Sequence, residues 1–331
     1  MKKIKPIKSK TLEASKETYD DLFADLNYYI KTKLKARGIH DLIFNVYIKK
    51  IENSDVLDIG CGLGRFSFFA SKIAKNVTAI DMTANAINCA KKLQSALNIK
   101  NIDFILSTIE DFKINKKFDF ILLSGTLEHL IDSDQFFKKI TKLLKPSGVF
   151  ITDSPSEFNF RGTFHASLWK LFDFPMTLSD VRIVTPKYIE TLCSQYGLKT
   201  KKIIGTLYKR GWGDESIQDL KNRMPNVLYD VKEKIDKLNV NIDEYFEWLD
   251  EAGIYFNELL KTWADQKLIS KISNNRNLQF NLDKTLILKN NLPLKSLTQY
   301  LEPDFSIDPF YSEHYPINIL GGNLIYEIIK K

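Results

Sequence analysis

Apolar residues in the first fifty positions recur at three- and four-residue spacing. Leu22, Leu26, Tyr29, Ile30 and Leu34 form one such set, and Ile39, Leu42, Ile43 and Val46 another. That period predicts helices over residues 11–50. It changes at Val56-Leu57-Asp58-Ile59, a short apolar run that reads as a strand and ends in Gly60-Cys61-Gly62-Leu63-Gly64. An apolar segment from Arg65 to Ala74 is long enough for a helix. Val77 to Asp81 reads as a second strand, and Ala84 to Leu97 as a helix with Ala86, Cys89, Ala90, Leu93 and Leu97 on one face. Ile102 to Ser107 and Phe118 to Ser124 are further strands. The latter is apolar enough for burial on both faces. Ser133 to Leu144 is a helix stopped by Lys145-Pro146-Ser147-Gly148, and Val149 to Thr152 is a strand. Pro186 to Tyr196 is a helix with proline in its first turn, and Leu198 to Leu207 a strand. Strands alternating with helices at this rhythm predict a doubly wound, mostly parallel α/β sheet.

After Gly211-Trp212-Gly213 the rhythm breaks. Residues 214–272 are charged and helical in period, with Leu220, Val227, Leu228, Val231, Ile235 and Leu238 as apolar positions. Residues 273–316 show no clear period. Asn323 to Ile329 reads as a seventh strand.

Composition narrows the picture without changing it. The chain has 331 residues, 44% apolar and 27% charged, which is ordinary for a globular protein. No apolar run approaches the ~18 residues of a membrane helix, so no membrane span is expected. The basic start, Met1-Lys2-Lys3-Ile4-Lys5, leads into no apolar stretch, which argues against a secretory signal. Cys61, Cys89 and Cys193 are too few and too scattered for a disulfide framework or a zinc site. A cytoplasmic location and no metal are the expectations. The net charge is +7, but the first ten residues hold five lysines, and only seven of the 48 basic residues are arginines. Much of the surplus is therefore a solvated tail, and composition does not point to nucleic acid as a partner.

The chemistry concentrates in the glycine loop. A loop of this kind after the first strand lets a ligand approach the main chain at the carboxyl end of a sheet. No Gly-Lys-Ser/Thr follows, so it is not a Walker loop, and its G-x-G-x-G spacing falls short of the dinucleotide fingerprint. Asp58 precedes it. Asp81 ends the second strand, where a carboxylate accepts both hydrogen bonds of a ribose diol. Taken alone, the triplet also reads as a tight strand–helix turn.

Val56-Leu57-Asp58-Ile59-Gly60-Cys61-Gly62-Leu63-Gly64 resembles motif I of class I S-adenosylmethionine-dependent methyltransferases. Phe118 to Ser124, then Leu127-Glu128-His129-Leu130, resembles that family's fourth strand and turn. Leu143-Leu144-Lys145-Pro146-Ser147-Gly148 resembles its signal before the fifth strand. The Leu-Glu-His-Leu signature is similar to that of the ubiquinone-type O-methyltransferase branch. The resemblance covers roughly residues 50–208 and is specific for fold and cofactor rather than acceptor.

It implies a Rossmann-like, seven-stranded sheet whose last strand inserts antiparallel beside the fifth and sixth. Residues 1–50 are then an N-terminal tail and helices. Residues 51–211 with 318–331 form the S-adenosylmethionine-binding core. Residues 212–317 are a mainly helical insertion, acting as a cap over the acceptor site or as an interface in a homo-oligomer. Gly60, Cys61, Gly62 and Gly64 line the methionine and ribose of S-adenosyl-L-methionine. Asp58 sits near its amino-acid end, Asp81 holds the ribose and Met82 packs on the adenine. Where the family often has an acid for the adenine amine, this chain has Thr108, followed by Ile109 and Glu110. Thr108, or the backbone at Ile109, takes that contact. Ser124 and Gly125 meet the methionine amine. Arg37 is a forked donor for the cofactor carboxylate, or else a solvated helix-end arginine.

Transfer to a hydroxyl requires alignment and a base for the departing proton, and no metal in principle. Histidine suits neutral pH. His129, after the fourth strand, and His165, after the fifth, lie on loops at the expected edge and are the catalytic candidates. Substrate binding or plain packing is the competing reading of each, as turn-shaping is for Glu128 and His129 together. Phe158, Phe160, Phe164, Trp169, Phe172 and Phe174 form either a roof over an acceptor pocket or a seam against the insertion. The expected activity is O-methylation of a small molecule such as a sugar, quinone or secondary metabolite. The alternatives are an RNA methyltransferase using a lysine-rich surface, a small-molecule N-methyltransferase, and a non-catalytic cofactor-binding subunit. Ser124-Gly125-Thr126-Leu127 lacks the Asn/Asp-Pro-Pro-Tyr signal of many base-amine enzymes.

Overall fold

The computed structural model describes residues 16–17, 19–20, 38–172, 180–232, 241–271 and 310–331. Its first long element, α1 (Gly38–Ile51), buries Leu42, Ile43, Phe44, Tyr47 and Ile51 against the sheet. Then follow β1 (Asp55–Ile59), α2 (Arg65–Ser71), β2 (Asn76–Asp81), α3 (Ala84–Ala96), β3 (Ile102–Leu106) and β4 (Phe118–Ser124). The second half of the sheet layer adds α4 (Ser133–Leu143), β5 (Leu144–Pro155), α5 (Phe160–Phe172), α6 (Pro186–Gln195) and β6 (Leu198–Thr206). Beyond these lie α7 (Tyr208–Trp212), α8 (Asp214–Lys232), α9 (Ile242–Asp265), β7 (Ser270–Lys271), β8 (Phe310–Ser312) and β9 (Asn323–Lys330).

The strand order is β3-β2-β1-β4-β5-β9-β6-β8-β7. Strands β1 to β5 pair in parallel, and β9 runs antiparallel between β5 and β6. The doubly wound, mostly parallel sheet and its antiparallel last strand agree with expectation. The strand number does not: the sheet has nine strands among the described residues, not seven. The insertion is helical in α8 and α9, but it also contributes β7 and β8, which extend the sheet past β6. At two and three residues, they are too short to show a period. Strand β5 also begins earlier than Val149, with the Lys145–Gly148 turn drawn into its irregular start beside β4.

Alternation explains both covered faces. Val56, Val77, Phe120, Leu122, Val149 and Ile151 point into one buried cluster with α1, α2 and α3. Leu57, Ile59, Ile80, Ile121, Leu123 and Phe150 point into the other with α4 and α6. Period-two side chains with no polar face are what a sheet roofed on both sides requires. Phe120 stacks on Phe66 with ring centroids 5.9 Å apart, and Tyr47 lies 6.0 Å away. Burying each such ring contributes about 2–3 kcal/mol. Helices α1 and α2 are also joined by a buried ion pair, Arg65 to Asp41 at 2.7 Å.

The chain runs from β1 outward to β2 and β3, then returns to β4 on β1's other side. That reversal opens a crevice at the carboxyl ends of β1 and β4, where ligands of such sheets bind. Helix α9 packs on α5 and α7 through aromatic pairs such as Phe160–Phe256 at 4.7 Å and Trp212–Trp263 at 5.9 Å, and on α8 through Ile217 and Leu220.

Candidate active site

Strand β1 delivers its chain into the crevice through residues 60–64. Gly60, Gly62 and Gly64 all have left-handed φ, at 68°, 53° and 79°. A Cβ on Gly60 would come 2.8 Å from the Thr126 hydroxyl oxygen, and one on Gly64 would meet the Phe104 ring at 2.6 Å. The first contact puts the turn after β4 directly over the loop. The second seats α2 close to the sheet. Both positions need glycine for conformation and for space.

Asp81 closes the other side of the loop. Its Oδ2 accepts the Gly62 amide at 2.8 Å, and its Oδ1 accepts the Thr83 amide at 2.9 Å and the Thr83 hydroxyl. Burial pushes its carboxyl above the ordinary range, against the pull of the three hydrogen bonds. A carboxylate has about four acceptor sites, so one remains for a ribose hydroxyl. Asp58 lies deeper and accepts the Ser67 hydroxyl at 2.6 Å. Burial, with the nearby charge of Asp81, pushes it up to about 7. Cys61 is buried and its thiol is pushed up by burial and both carboxylates, so it is no thiolate nucleophile at neutral pH.

The turns after β3 and β4 complete the edge. The Ser107 amide donates to Asp81 O at 2.9 Å, which brings Thr108–Glu110 beside the end of β2 with Met82. The Thr108 hydroxyl caps this turn, accepting the Asp111 amide at 3.1 Å, and Ile109 is buried. Ser124 pairs in register with Asp153 of β5, and Gly125 turns the chain with φ 53° and open space beside it. The loop, Asp58, Asp81, Thr108–Glu110 and Ser124–Gly125 therefore share one edge. Arg37 lies outside the described residues.

His129 ends a short helical turn (Leu127–His129) on that edge. Its Nδ1 is 3.2 Å from Asp180 Oδ1, and its Nε2 is 3.9 Å from Glu128 Oε1. Tyr19 stands edge-on to its ring at 5.8 Å. The segment bearing Asp180 is held to the turn by Val181, whose amide donates to Glu128 O at 2.9 Å. Arg182 reinforces it, donating to the carbonyls of Leu127, Leu130 and Ile131. A pocket opens here, with Glu128, Glu157, Trp169, Asp180, Arg182 and Val184 in its wall. Burial drives Glu128 well above the usual carboxyl range, and the charge of Asp180 adds to it.

His165 is not part of this constellation. It sits 2% exposed on α5, with Nε2 3.5 Å from Asp219 of α8. Arg161 and Arg223 hold the same carboxylate at 2.6 and 2.9 Å. Burial lowers the affinity of His165 for a proton. The aromatic run of α5 divides: Phe160 and Phe164 join the seam with α9, whereas Trp169 lines the pocket. Phe174 lies outside the described residues, and Phe172 is described only as the last residue of α5.

Asp180, Glu157 and Asp153 escaped the sequence reading. Asp153, beside Ser124, accepts from Asn323 at 3.2 Å, and burial pushes it up to about 6. A polar residue closing an apolar strand run, as in Ile151-Thr152-Asp153, was the available signal for it. Glu157 and Asp180 sit in segments without a period and carried none. Burial pushes Glu157 from 4.5 to about 7. The folded chain thus keeps a proton that the unfolded chain loses, and stability falls as pH rises from about 4.5 to 7. Glu157→Gln is expected to be more stable than the parent above about pH 7, by roughly 2 kcal/mol after allowance for partial exposure. The advantage should vanish below about pH 4.5. Thermal melts across that range check this.

A doubly wound sheet whose glycine loop, acidic β2 terminus and β4 turn meet at one edge defines an α/β domain with its ligand crevice at that edge. Residues 50–210 match a family model described as a methyltransferase domain. That segment, just under half of the chain, is similar to methyltransferase domains. A ubiquinone biosynthesis O-methyltransferase of Pelagibacter ubique is 36% identical over 116 residues, 35% of this chain and 48% of that one. A probable (S)-tetrahydroprotoberberine N-methyltransferase of Papaver bracteatum is 28% identical over 117 residues, 35% of this chain and 33% of that one. The chain spans about half the length of the ubiquinone-type relatives it matches. A methyltransferase structure from Clostridium acetobutylicum aligns at 18% identity and TM-score 0.44, covering 55% of this chain and 90% of that one. No helix among the described residues is long and apolar enough to cross a membrane.

Proposed function

We propose that the chain transfers a methyl group from S-adenosylmethionine to a hydroxyl oxygen of a small molecule. The observation that carries the reading is the coincidence of the left-handed glycine loop and Asp81 with a His129–Asp180 pair on the same sheet edge. The residues fit the donor. Asp81 would accept a hydrogen bond from the ribose, Gly60–Gly64 would lie under the ribose and methionine, and Ser124–Gly125 would meet the amino-acid end. Met82 and Thr108–Glu110 would border the adenine.

When bound, the donor supplies an electrophilic methyl group. With the Nδ1–H of His129 donated to Asp180, Nε2 carries the lone pair that accepts the acceptor's hydroxyl proton. Glu128 and Trp169 border the space for the acceptor beside it. His165 is left a role in holding α5 to α8. The ubiquinone-type relatives support oxygen as the target.

Calorimetry with S-adenosylhomocysteine, followed by labelled-methyl transfer to hydroxylated acceptors, tests the reading. Binding and base-stable label on oxygen are expected. Absence of binding, or label found only on nitrogen or RNA, overturns it.

A further inference from the structure

The pocket beside His129 gathers buried carboxyl groups, two of them with oxygens that no hydrogen bond satisfies among the described residues. Glu128 is 7% exposed, lies in the pocket wall, and its Oε2 has no hydrogen-bond partner among the described residues. Both carboxylate oxygens of Glu157, on the same wall, are buried with no hydrogen-bond partner among the described residues. Asp180, paired with His129, lies on the same wall. The one basic residue in the wall among the described residues, Arg182, directs Nη1 and Nη2 to main-chain carbonyls of residues 127, 130 and 131. Asp41, by contrast, is paired with Arg65, and Asp219 with Arg161 and Arg223. A buried carboxylate without a counter-ion is costly, and that cost is recovered when a ligand brings the missing positive charge. Trp169 supplies a flat apolar wall, which also favours a cation.

We propose that this pocket is an ammonium subsite, and that the methyl acceptor is a compact hydroxylated molecule carrying a protonated amine held by Glu157 and Glu128. The inference rests on the reading above, because it places the acceptor's hydroxyl at His129 while its amine is anchored. An amine held as ammonium has no lone pair to accept a methyl group, so the same contacts that bind it direct transfer to oxygen. The carboxylates give up to solvent any proton they hold as the cation enters, and no other group changes its bonding.

Matched probes test this on the full chain saturated with S-adenosylhomocysteine. Dopamine, ethylcatechol and dihydrocaffeate differ mainly in bearing an ammonium, no charge or a carboxylate, and glucosamine against glucose repeats the contrast on a sugar. At least one ammonium probe is expected to bind about tenfold or more tighter than its neutral partner, with the carboxylate probe weakest. Glu157→Gln should remove most of that advantage and leave the neutral probe's affinity unchanged, while its thermal melt confirms folding. A neutral or anionic probe binding as tightly, no ammonium probe binding, or an undiminished advantage in Glu157→Gln each overturns the subsite. Failure of S-adenosylhomocysteine itself to bind strikes the donor site instead, so the two outcomes are separable.

Discussion

Asp81→Ala is expected to weaken S-adenosylhomocysteine binding by between about 5- and 150-fold, the loss of a charge-assisted hydrogen bond from a ribose. The carboxylate has two jobs at once. It anchors the Gly62 amide and the Thr83 turn, and it presents its remaining acceptor capacity to the crevice. Removal therefore loosens the loop and takes away the ligand contact. Global unfolding is not expected, because burial already opposes the ionised form of Asp81 and the variant no longer bears that cost. Asp81→Asn keeps one oxygen for Gly62 or Thr83 and should fall between. Calorimetry of both variants, with melts as a check on folding, reads the effect. Unchanged affinity would mean that the ribose lies elsewhere.

What made this half of the site legible is that it is local. Strand, loop and helix follow one another within Val56–Ser71, and left-handed backbone can be signalled only by glycine at 60, 62 and 64. An acid ending an apolar strand, as at Asp81, stands out for the same reason. The acceptor half is assembled from afar. Asp180 reaches His129 because Val181 and Arg182 dock on the 127–131 turn, contacts that leave no period in the chain. His165 shows the converse. Its place after β5 marked it for the sheet edge, but α8 brings Asp219 and Arg223 against α5 and draws the ring into that network. Strands β7 and β8 stayed hidden because pairing with β6, not their own composition, makes them strands. Neighbours along the chain were readable; neighbours through space were not.

The second large effect belongs to that through-space half. His129→Gln is expected to lower the rate of methyl transfer by between about 100- and 10,000-fold, the range for loss of a positioned general base. Glutamine has neither a lone-pair nitrogen of suitable basicity nor an ionisable ring, yet it can still fill the space beneath Tyr19 and hydrogen bond to Asp180. Donor affinity should therefore hold, and the loss should appear in kcat rather than KM. Asp180→Asn separates positioning from basicity. The amide cannot anchor the Nδ1–H by a charge, so the ring samples the tautomer that presents Nε2–H to the acceptor, and kcat falls while the base itself is intact. Stopped assays with labelled donor and whichever ammonium-bearing catechol or sugar binds best measure both variants. A rate within about threefold of the parent in His129→Gln would remove the base from the mechanism. It would leave proton removal to solvent or to Glu128, whose own replacement by glutamine would then carry the loss.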